Sequence, residues 1–544
     1  MTLKKIWINI TLICIVLFCL SGCLFAQDSE HAFLTTKNGW YLDQSGNVIC
    51  GYTQHNGWWG GYRNSSLSWV NEYKVRTAIC RHDPDKIGPS HTEDLSVLTD
   101  AMVQYGYPGF EHNYGLWYDR RRDAHDTNRR KDGNVSFPVI ELPWARSNVP
   151  SAWDGLNKYD LTKWNPWYFN RVKEFAENCN DKGAILIYNF FLQHNFLEDP
   201  AHYADSPWRP VNCIQNTGLP DDLPASGSIR FANEFYSSKN KELRILQRLY
   251  IRKCLDEFSH YRNIVYLCSE EYTGPASFMV FWLHVIIEWE REHQKKVHVG
   301  LSATKDVMDS ILQNSSLSSE ISTIDLRHFW YRADGTLHAP AGGQNLAPRE
   351  TGNINKAPNE TNIVQFYRHV REYRNHYPDK AIICAGWGER RGYWAFFMAG
   401  GSLSISDLNY ADSPPPANPW DPPAQYVKPP ACNDVLPAHN FIRKYLGTSL
   451  KFMKPMDVVE NEPEHNWALV EPGQNYLIYA LQGGGLQINL LPCKGKIFFA
   501  EWLNPRNGEL SEAGFVKGGQ IVSINAPDNS TDWALWLSLS GKKE

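Results

Sequence analysis

The sequence predicts an α/β fold, a (β/α)8 TIM barrel followed by a small antiparallel β-sandwich, and three observations predict it. From about Val48 to Leu450, short apolar runs alternate with amphipathic helical stretches. That alternation is the signature of a parallel sheet wrapped by helices, and over so long a segment a closed barrel is the leading topology. After about Lys451 the helical period disappears, and short strands separated by turn signals follow one another. No internal repeat of fixed period is visible, which removes solenoids and propellers.

The first element is a leader over residues 1–22. Lys4 and Lys5 form a basic start, Trp7 to Leu20 an apolar stretch, and Leu20-Ser21-Gly22-Cys23 follows. The stretch is too short for a comfortable membrane span and reads as an export signal. Leu-Ser-Gly-Cys resembles the bacterial lipobox, which implies lipidation of Cys23; plain secretion is the alternative. Leu24 stands where an Asp would signal inner-membrane retention, so the expected destination is the outer membrane or cell surface, with the periplasmic face still open. The membrane is then met only through this anchor, and residues 23–37 are a tether.

The barrel occupies 38–450. Nine candidate strands compete for eight places: Val48 to Tyr52, Val75 to Cys80, Gly106 to Phe110, Ala184 to Tyr188, Ile264 to Leu267, Val297 to Leu301, Thr323 to Leu326, Ala381 to Cys384 and Ser402 to Ile405. One of the first three is expected to precede the barrel as a lid or pairing extension. Helical patterns fill Asp94 to Tyr105, Trp167 to Lys182, Lys241 to His260, Phe278 to His293, Ile363 to Tyr377 and Leu436 to Tyr445. The long segments Glu111 to Asn165 and His194 to Asn240 are polar, aromatic and punctuated by Gly and Pro, as the site-building loops of barrels are. Ser413 to Pro430 holds eight prolines and is extended loop.

The sandwich occupies 451–544. Its predicted strands are Trp467 to Val470, Tyr476 to Leu481, Leu486 to Leu490, Lys496 to Trp502, Ile521 to Ile524 and Trp533 to Leu537, with turn signals at Gly483-Gly484-Gly485 and Asn507-Gly508. Packing behind the barrel and glycan binding are the two roles open to it.

Composition narrows the function. Of 544 residues, 54 are basic and 59 acidic, a formal charge of -5, which lacks the basic excess nucleic acid requires. Trp 21, Tyr 27 and Phe 24 are more aromatic surface than core packing needs, and flat indole faces hold sugar rings. Nine of the twelve cysteines lie beyond Cys23, scattered and without a CxxC pair, so they read as small buried hydrophobes with one or two bridges at most. HExxH, P-loop, dinucleotide-glycine, EF-hand and G-x-S-x-G patterns are all absent, and no cofactor or metal is expected. The chain is expected to be a monomer.

Two segments carry candidate chemistry. Asn263 to Gly274 is an apolar strand that runs out into Glu270 and Glu271, and Ala381 to Trp394 is another that runs into Glu389 beside Trp387, Arg390 and Arg391. Carboxylates at a barrel mouth need a reason, because a buried charge without a partner is expensive. A carboxylate pair is what glycosidic cleavage uses: a protonated acid for the leaving oxygen and an ionised group that attacks C1 or activates water. An ordinary Glu–Arg pair is the competing reading at both places.

Ser269-Glu270-Glu271-Tyr272 resembles the Asn-Glu pair that closes the fourth strand of clan A glycoside hydrolases. The resemblance implies that Glu271 is the acid/base and Glu389 the nucleophile, with retention of configuration. Glu270 stands where the clan usually has Asn, and is the substitute catalytic candidate. Gly388 to Trp394, leading to Met398-Ala-Gly-Gly401, is similar to the corresponding region of the apiosidase-like barrel hydrolases. Those proteins also carry a C-terminal β-domain, whose signature Trp502 to Gly508 and Asp532-Trp533 resemble. Glu111 to Arg122 and Pro143 to Ser147 are similar to an uncharacterised family of predicted bacterial hydrolases.

Candidate substrate contacts are the polar and aromatic groups at strand ends and in the following loops. They are His55, Trp58 and Trp59; His112, Tyr114 and Trp117; Arg120, Arg121 and Arg146; Gln193, His194 and Asn195; Arg327, His328 and Trp330; and Trp387 with Arg390. The basic run from Arg120 to Lys131 reads either as a solvated face or as guanidinium forks for a uronic-acid or sulfated glycan. The expected partner is therefore a carbohydrate, and the expected activity glycoside hydrolysis. A non-catalytic glycan-capture lipoprotein and a polysaccharide lyase are the alternatives.

Overall fold

A computed structural model describes residues 34–55, 95–113, 116–117, 140–193, 203–204, 206–223, 230–270, 272–343, 360–385, 389–406 and 432–539. Eight parallel strands close a barrel in chain order: Gly51–His55, Gly109–His112, Ile185–Leu192, Ile264–Glu270, His298–Ser302, Ile321–Asp325, Ala381–Ala385 and Leu403–Ser406, the last pairing back onto the first. Helices Leu95–Gln104, Pro166–Asp181, Lys241–Phe258, Ala276–His293, Lys305–Gln313, Ile363–His376, Arg390–Met398 and Cys432–Phe441 alternate with them. Three of these helices begin at an asparagine whose side chain accepts a first-turn N–H: Asn165 from Trp167, Asn240 from Leu243 and Asn362 from Gln365. Such caps satisfy donors that the helix itself leaves open.

The N-terminal run departs from expectation. Val48 to Tyr52 is two elements: Val48–Ile49 closes a three-stranded antiparallel sheet with Thr35–Lys37 and Trp40–Leu42, and Gly51–His55 is the first barrel strand. Gly51 makes the change of direction possible, since its φ is 153° and a Cβ there would lie 2.6 Å from both the Gly106 carbonyl and Pro108. Eight strands close the barrel without Val75 to Cys80, which lies outside the described residues. The eighth helix starts earlier than its pattern suggests, at Cys432, and widens into a π-turn over Ile442–Leu446.

The small sheet plugs the barrel at the N-terminal ends of its strands. Leu34, Tyr41 and Ile49 pack with Ile185, Ile187, Val265, Leu267, Ala381, Ile383 and Leu403 in one apolar cluster inside the barrel. The Tyr41 hydroxyl meets Thr323 Oγ1 at 2.5 Å.

The C-terminal region forms a six-stranded antiparallel sheet, in the order Lys454–Pro455, Asn466–Glu471, Asn475–Ala480, Trp533–Leu539, Ile497–Leu503, Leu510–Lys517. Gly485–Asn489 and Ile521–Asn525 form a second sheet, and residues such as Val470, Ile478, Leu486, Ile488, Phe498 and Leu535 fill the apolar cluster they share. Lys454–Pro455 and Leu510–Lys517 are strands beyond the six predicted. The other face of the large sheet lies on the barrel helices. Trp467 stacks on Tyr367 at 4.3 Å between ring centres, Tyr479 on Trp394 at 5.1 Å, and Trp536 meets Phe441 edge-on. Aromatic stacking of this kind adds to the burial of large apolar faces.

Candidate active site

Above the apolar plug the barrel interior turns polar. Glu111 near the end of the second strand, Asn189 in the third and Asp325 at the end of the sixth are all fully buried. Arg327, two residues past the sixth strand, joins them. Its Nη2 donates to Glu111 Oε1 at 2.9 Å, its Nε to Asp325 Oδ2 at 2.6 Å, and Asn189 Nδ2 adds a bond to Glu111 Oε1 at 3.2 Å. Two carboxylates around one guanidinium sum to one negative charge. Such a cluster is tolerable inside a protein because the shared guanidinium pairs with both carboxylates and hydrogen-bonds them.

The end of the fourth strand is locked to the third. The backbone N–H of Gln193 donates to Ser269 Oγ at 3.1 Å, and the Gln193 side chain reaches Thr273. Glu270 is the last residue of that strand, and Glu271 lies outside the described residues. Val265 and Leu267 face the barrel axis, whereas Tyr266 and Cys268 face the helices.

Glu389 is exposed and occupies the N-cap position of the helix Arg390–Met398, without a side-chain capping bond. Its charge is felt by Asp434, at the start of the eighth helix, and by Tyr52. Burial raises the Asp434 carboxyl, Arg390 lowers it and Glu389 adds a further rise. Arg390 itself turns toward the C-terminal domain, donating from Nε at 3.0 Å and Nη2 at 2.6 Å to the buried Asp532, which also accepts from the Tyr479 hydroxyl at 2.8 Å.

Several expected substrate contacts are buried. His112 ends the second strand fully buried, its ring beside Tyr168 and Tyr188, and burial pulls it down to about 3, so it is neutral. Tyr168 links it, at 3.4 Å, to a buried chain of hydroxyls running through Tyr188 to Tyr250. Gln193, Arg327, His328 and Trp330 are buried as well, with Trp330 packed over His338. Arg146 lies over the Tyr159 ring and pairs with Asp154 at 2.6 Å. His55 is the last residue of the first strand, and Trp117 belongs to the short ladder Leu116–Trp117 with Ile140–Glu141. Cys23, Trp58, Trp59, Tyr114, Arg120, Arg121, His194, Asn195 and Trp387 lie outside the described residues.

Glu111 and Asp325 were not among the expected site residues, although each carries the same signal as Glu270 and Glu271, an acid where a barrel strand runs out. Eight of the nine cysteines beyond Cys23 are described, all buried and unbridged. Among the described residues no cluster of His, Cys, Asp or Glu could hold a metal ion, and no helix is long and apolar enough to cross a membrane.

The architecture is a closed parallel (β/α)8 barrel with an antiparallel β-domain on its helices, a fold shared with solved structures described as glycoside hydrolases. One solved structure, described as "Glycoside hydrolase", matches with a TM-score of 0.51 at 12% identity over 94% of this chain and 97% of the other. Another, a "putative glycoside hydrolase" from Bacteroides vulgatus ATCC 8482, matches with a TM-score of 0.51 at 9% identity over 94% of this chain and 82% of the other. The likeness is one of fold. The chain belongs to the family described as "Domain of unknown function (DUF6298)", which matches residues 24–412. Residues 457–538 match the family described as "Putative collagen-binding domain of a collagenase". No curated protein matches the sequence.

Proposed function

We propose that the chain is a retaining glycoside hydrolase acting on a complex, acidic carbohydrate, with Glu271 as general acid/base and Glu389 as nucleophile. The observation that carries the reading is the polar layer inside a barrel of glycoside-hydrolase fold, beside a fourth strand that runs directly into Glu270 and Glu271. The net negative charge of Glu111, Asp325 and Arg327 supports both demands of the chemistry. It favours a protonated acid nearby, and it stabilises the positive charge that develops on the sugar ring in the transition state. The cationic run around Arg120 and Arg121 supports uronic-acid or sulfated substrates, and the Cys23 lipobox supports export to the outer membrane or cell surface.

The test is product profiling of the soluble chain lacking residues 1–23 on neutral and acidic polysaccharides. A saturated sugar released with retained configuration, and turnover reduced by about 100-fold or more in Glu271→Gln and Glu389→Gln, is the expected result. An unsaturated product absorbing in the near ultraviolet would replace the reading with a lyase. Retention on an acidic glycan column without any product would replace it with a capture protein. Activity surviving in Glu389→Gln alone would move the nucleophile to another carboxylate.

A further inference from the structure

Glu389 is followed directly by Arg390 and Arg391. A guanidinium fork that closed on Glu389 would occupy both carboxylate oxygens and leave neither to attack a sugar. In the structure that fork is engaged elsewhere. Arg390 donates from Nε at 3.0 Å and Nη2 at 2.6 Å to the two oxygens of Asp532, which the C-terminal domain holds fully buried. Asp532 also accepts from the Tyr479 hydroxyl at 2.8 Å and Thr531 Oγ1 at 3.1 Å, with Arg506 at 3.6 Å and Arg391 at 3.9 Å. Burial alone would raise the Asp532 carboxyl, but these partners, Arg390 foremost, outweigh it and hold it below the usual range.

The helix behind Glu389 is held by the same group. Trp394, one turn beyond Arg390 on the same face, stacks on the Tyr479 ring at 5.1 Å. Tyr479 therefore grips the helix with its ring and Asp532 with its hydroxyl. The Arg390 backbone N–H goes to the Asp434 carboxyl, and the Glu389 carbonyl accepts the Tyr393 N–H at 3.1 Å. Glu389 itself is exposed and makes no capping bond.

We infer that Asp532 is a positioning residue supplied by the C-terminal domain: it draws the Arg390 guanidinium away from Glu389 and leaves that carboxylate open to the sugar. The inference rests on the assignment of Glu389 as nucleophile above. The other groups around Glu389 are Arg391 beside it, Asp434 at the start of the eighth helix, and Tyr52 in the first strand, kept neutral by burial.

The test uses the soluble chain with Asp532→Asn, Asp532→Asn combined with Arg390→Gln, Arg390→Lys, Trp467→Leu and Glu389→Gln. One readout needs no substrate: carbon-13 NMR of glutamate carboxyls, with the Glu389 signal assigned by its loss in Glu389→Gln. The other is the pH profile of sugar release from the acidic polysaccharide that the parent cleaves. In Asp532→Asn the freed guanidinium should pair with Glu389 and displace its titration downward by about one pH unit or more. The acidic limb of kcat/KM should follow, and kcat should fall by about 10- to 100-fold. Removing Arg390 as well should return the titration and the limb and restore most of the turnover. Arg390→Lys keeps the cation without the fork, and should move both readouts the same way by less. Trp467→Leu, which loosens the domain contact at Tyr367, should lower the urea midpoint and move neither readout.

An unmoved Glu389 titration in Asp532→Asn, a double variant as slow as the single one, or an equal displacement in Trp467→Leu would each overturn the inference. Failure of the underlying reading looks different. Glu389→Gln would then cleave as well as the parent does, and the positioning role would fall with the nucleophile even if the titration moved. A urea melt of each variant separates loss of fold from loss of charge separation.

Discussion

The two ends of the barrel are built from the same eight strands and solve opposite problems. At the N-terminal end, Leu34, Tyr41 and Ile49 seal the interior with apolar side chains, and the Tyr41 hydroxyl is paired with Thr323. At the C-terminal end the same strands carry Glu111, Asn189 and Asp325, and a guanidinium is drawn in from beyond the sixth strand to hold them. Apolar burial at the plug stabilises the fold outright, at roughly 25 cal/mol per Å² removed from water. The ionic layer does not, because desolvating three charges offsets most of their attraction. A fold that needed only a closed barrel would fill both ends like the lower one, so the upper end is where stability has been given up for chemistry.

The strongest way to break that comparison is Arg327→Met. The substitution keeps volume but removes the cation between two buried carboxylates, and breaking such a cluster on one side typically costs about 3 to 5 kcal/mol. Urea unfolding should show a loss of that size. Replacing Glu111 and Asp325 by Gln and Asn in the same chain should recover most of it while leaving turnover depressed. Recovery of turnover as well would mean that the layer is purely structural.

Acid sensitivity asks whether the two ends are sealed alike. His112 belongs to the upper end and His439, hydrogen-bonded to the Cys50 carbonyl where the first strand begins, to the lower. Burial pulls His112 down to about 3 and, with the charge of Arg443 helping and the bond to Cys50 opposing, His439 down to about 4. Both values lie below the ordinary 6.5, so the unfolded chain binds more protons than the folded one at intermediate pH. The stability from keeping each ring neutral is therefore complete above pH 6.5 and is lost as pH falls toward 4. The slope is up to about 1.4 kcal/mol per pH unit for each site. Melts between pH 7 and 4 should show it, and His112→Gln and His439→Asn should each flatten it. If only the second does, the upper end is wetter than its packing implies.

What could be read from the sequence follows the same division. Strands and helices were legible because their periods are local. The barrel order, most helix positions and the change to β-structure after Lys451 all come from spacing within a few residues. The division of Val48 to Tyr52 was not, because it depends on a positive φ and a close backbone approach at Gly51 that hydrophobic pattern does not encode. Glu270 and Glu271 could be singled out, since two acids at the end of an apolar strand are a local anomaly. The partners that Arg327 and Gln193 hold were not legible, because they are far along the chain, Glu111 being 216 residues from Arg327 and Thr273 80 from Gln193. Arg390 shows the same thing across domains, with Asp532 142 residues away. A side chain's type states what it can bind, and only the fold states which group arrives there.

The smallest expected effect tests whether the two ends are independent. Tyr41→Phe removes one hydroxyl from the plug and leaves its ring in place against Ile185, Val265 and Leu403. Losing the bond to Thr323 should cost about 1 kcal/mol, read as a small drop in the urea midpoint at unchanged slope. Turnover should not change, because the described contacts of the Tyr41 side chain are with apolar groups of the barrel base and with Thr323. The sixth strand, however, carries Thr323 and, two residues on and on the same face, Asp325, whose charge reaches Tyr41. A fall in kcat without a change in KM would then mean that the strand transmits a shift from the plug to Asp325 and Arg327. The ionic layer would in that case be tuned from below, and the division between a structural end and a chemical end would be one of degree.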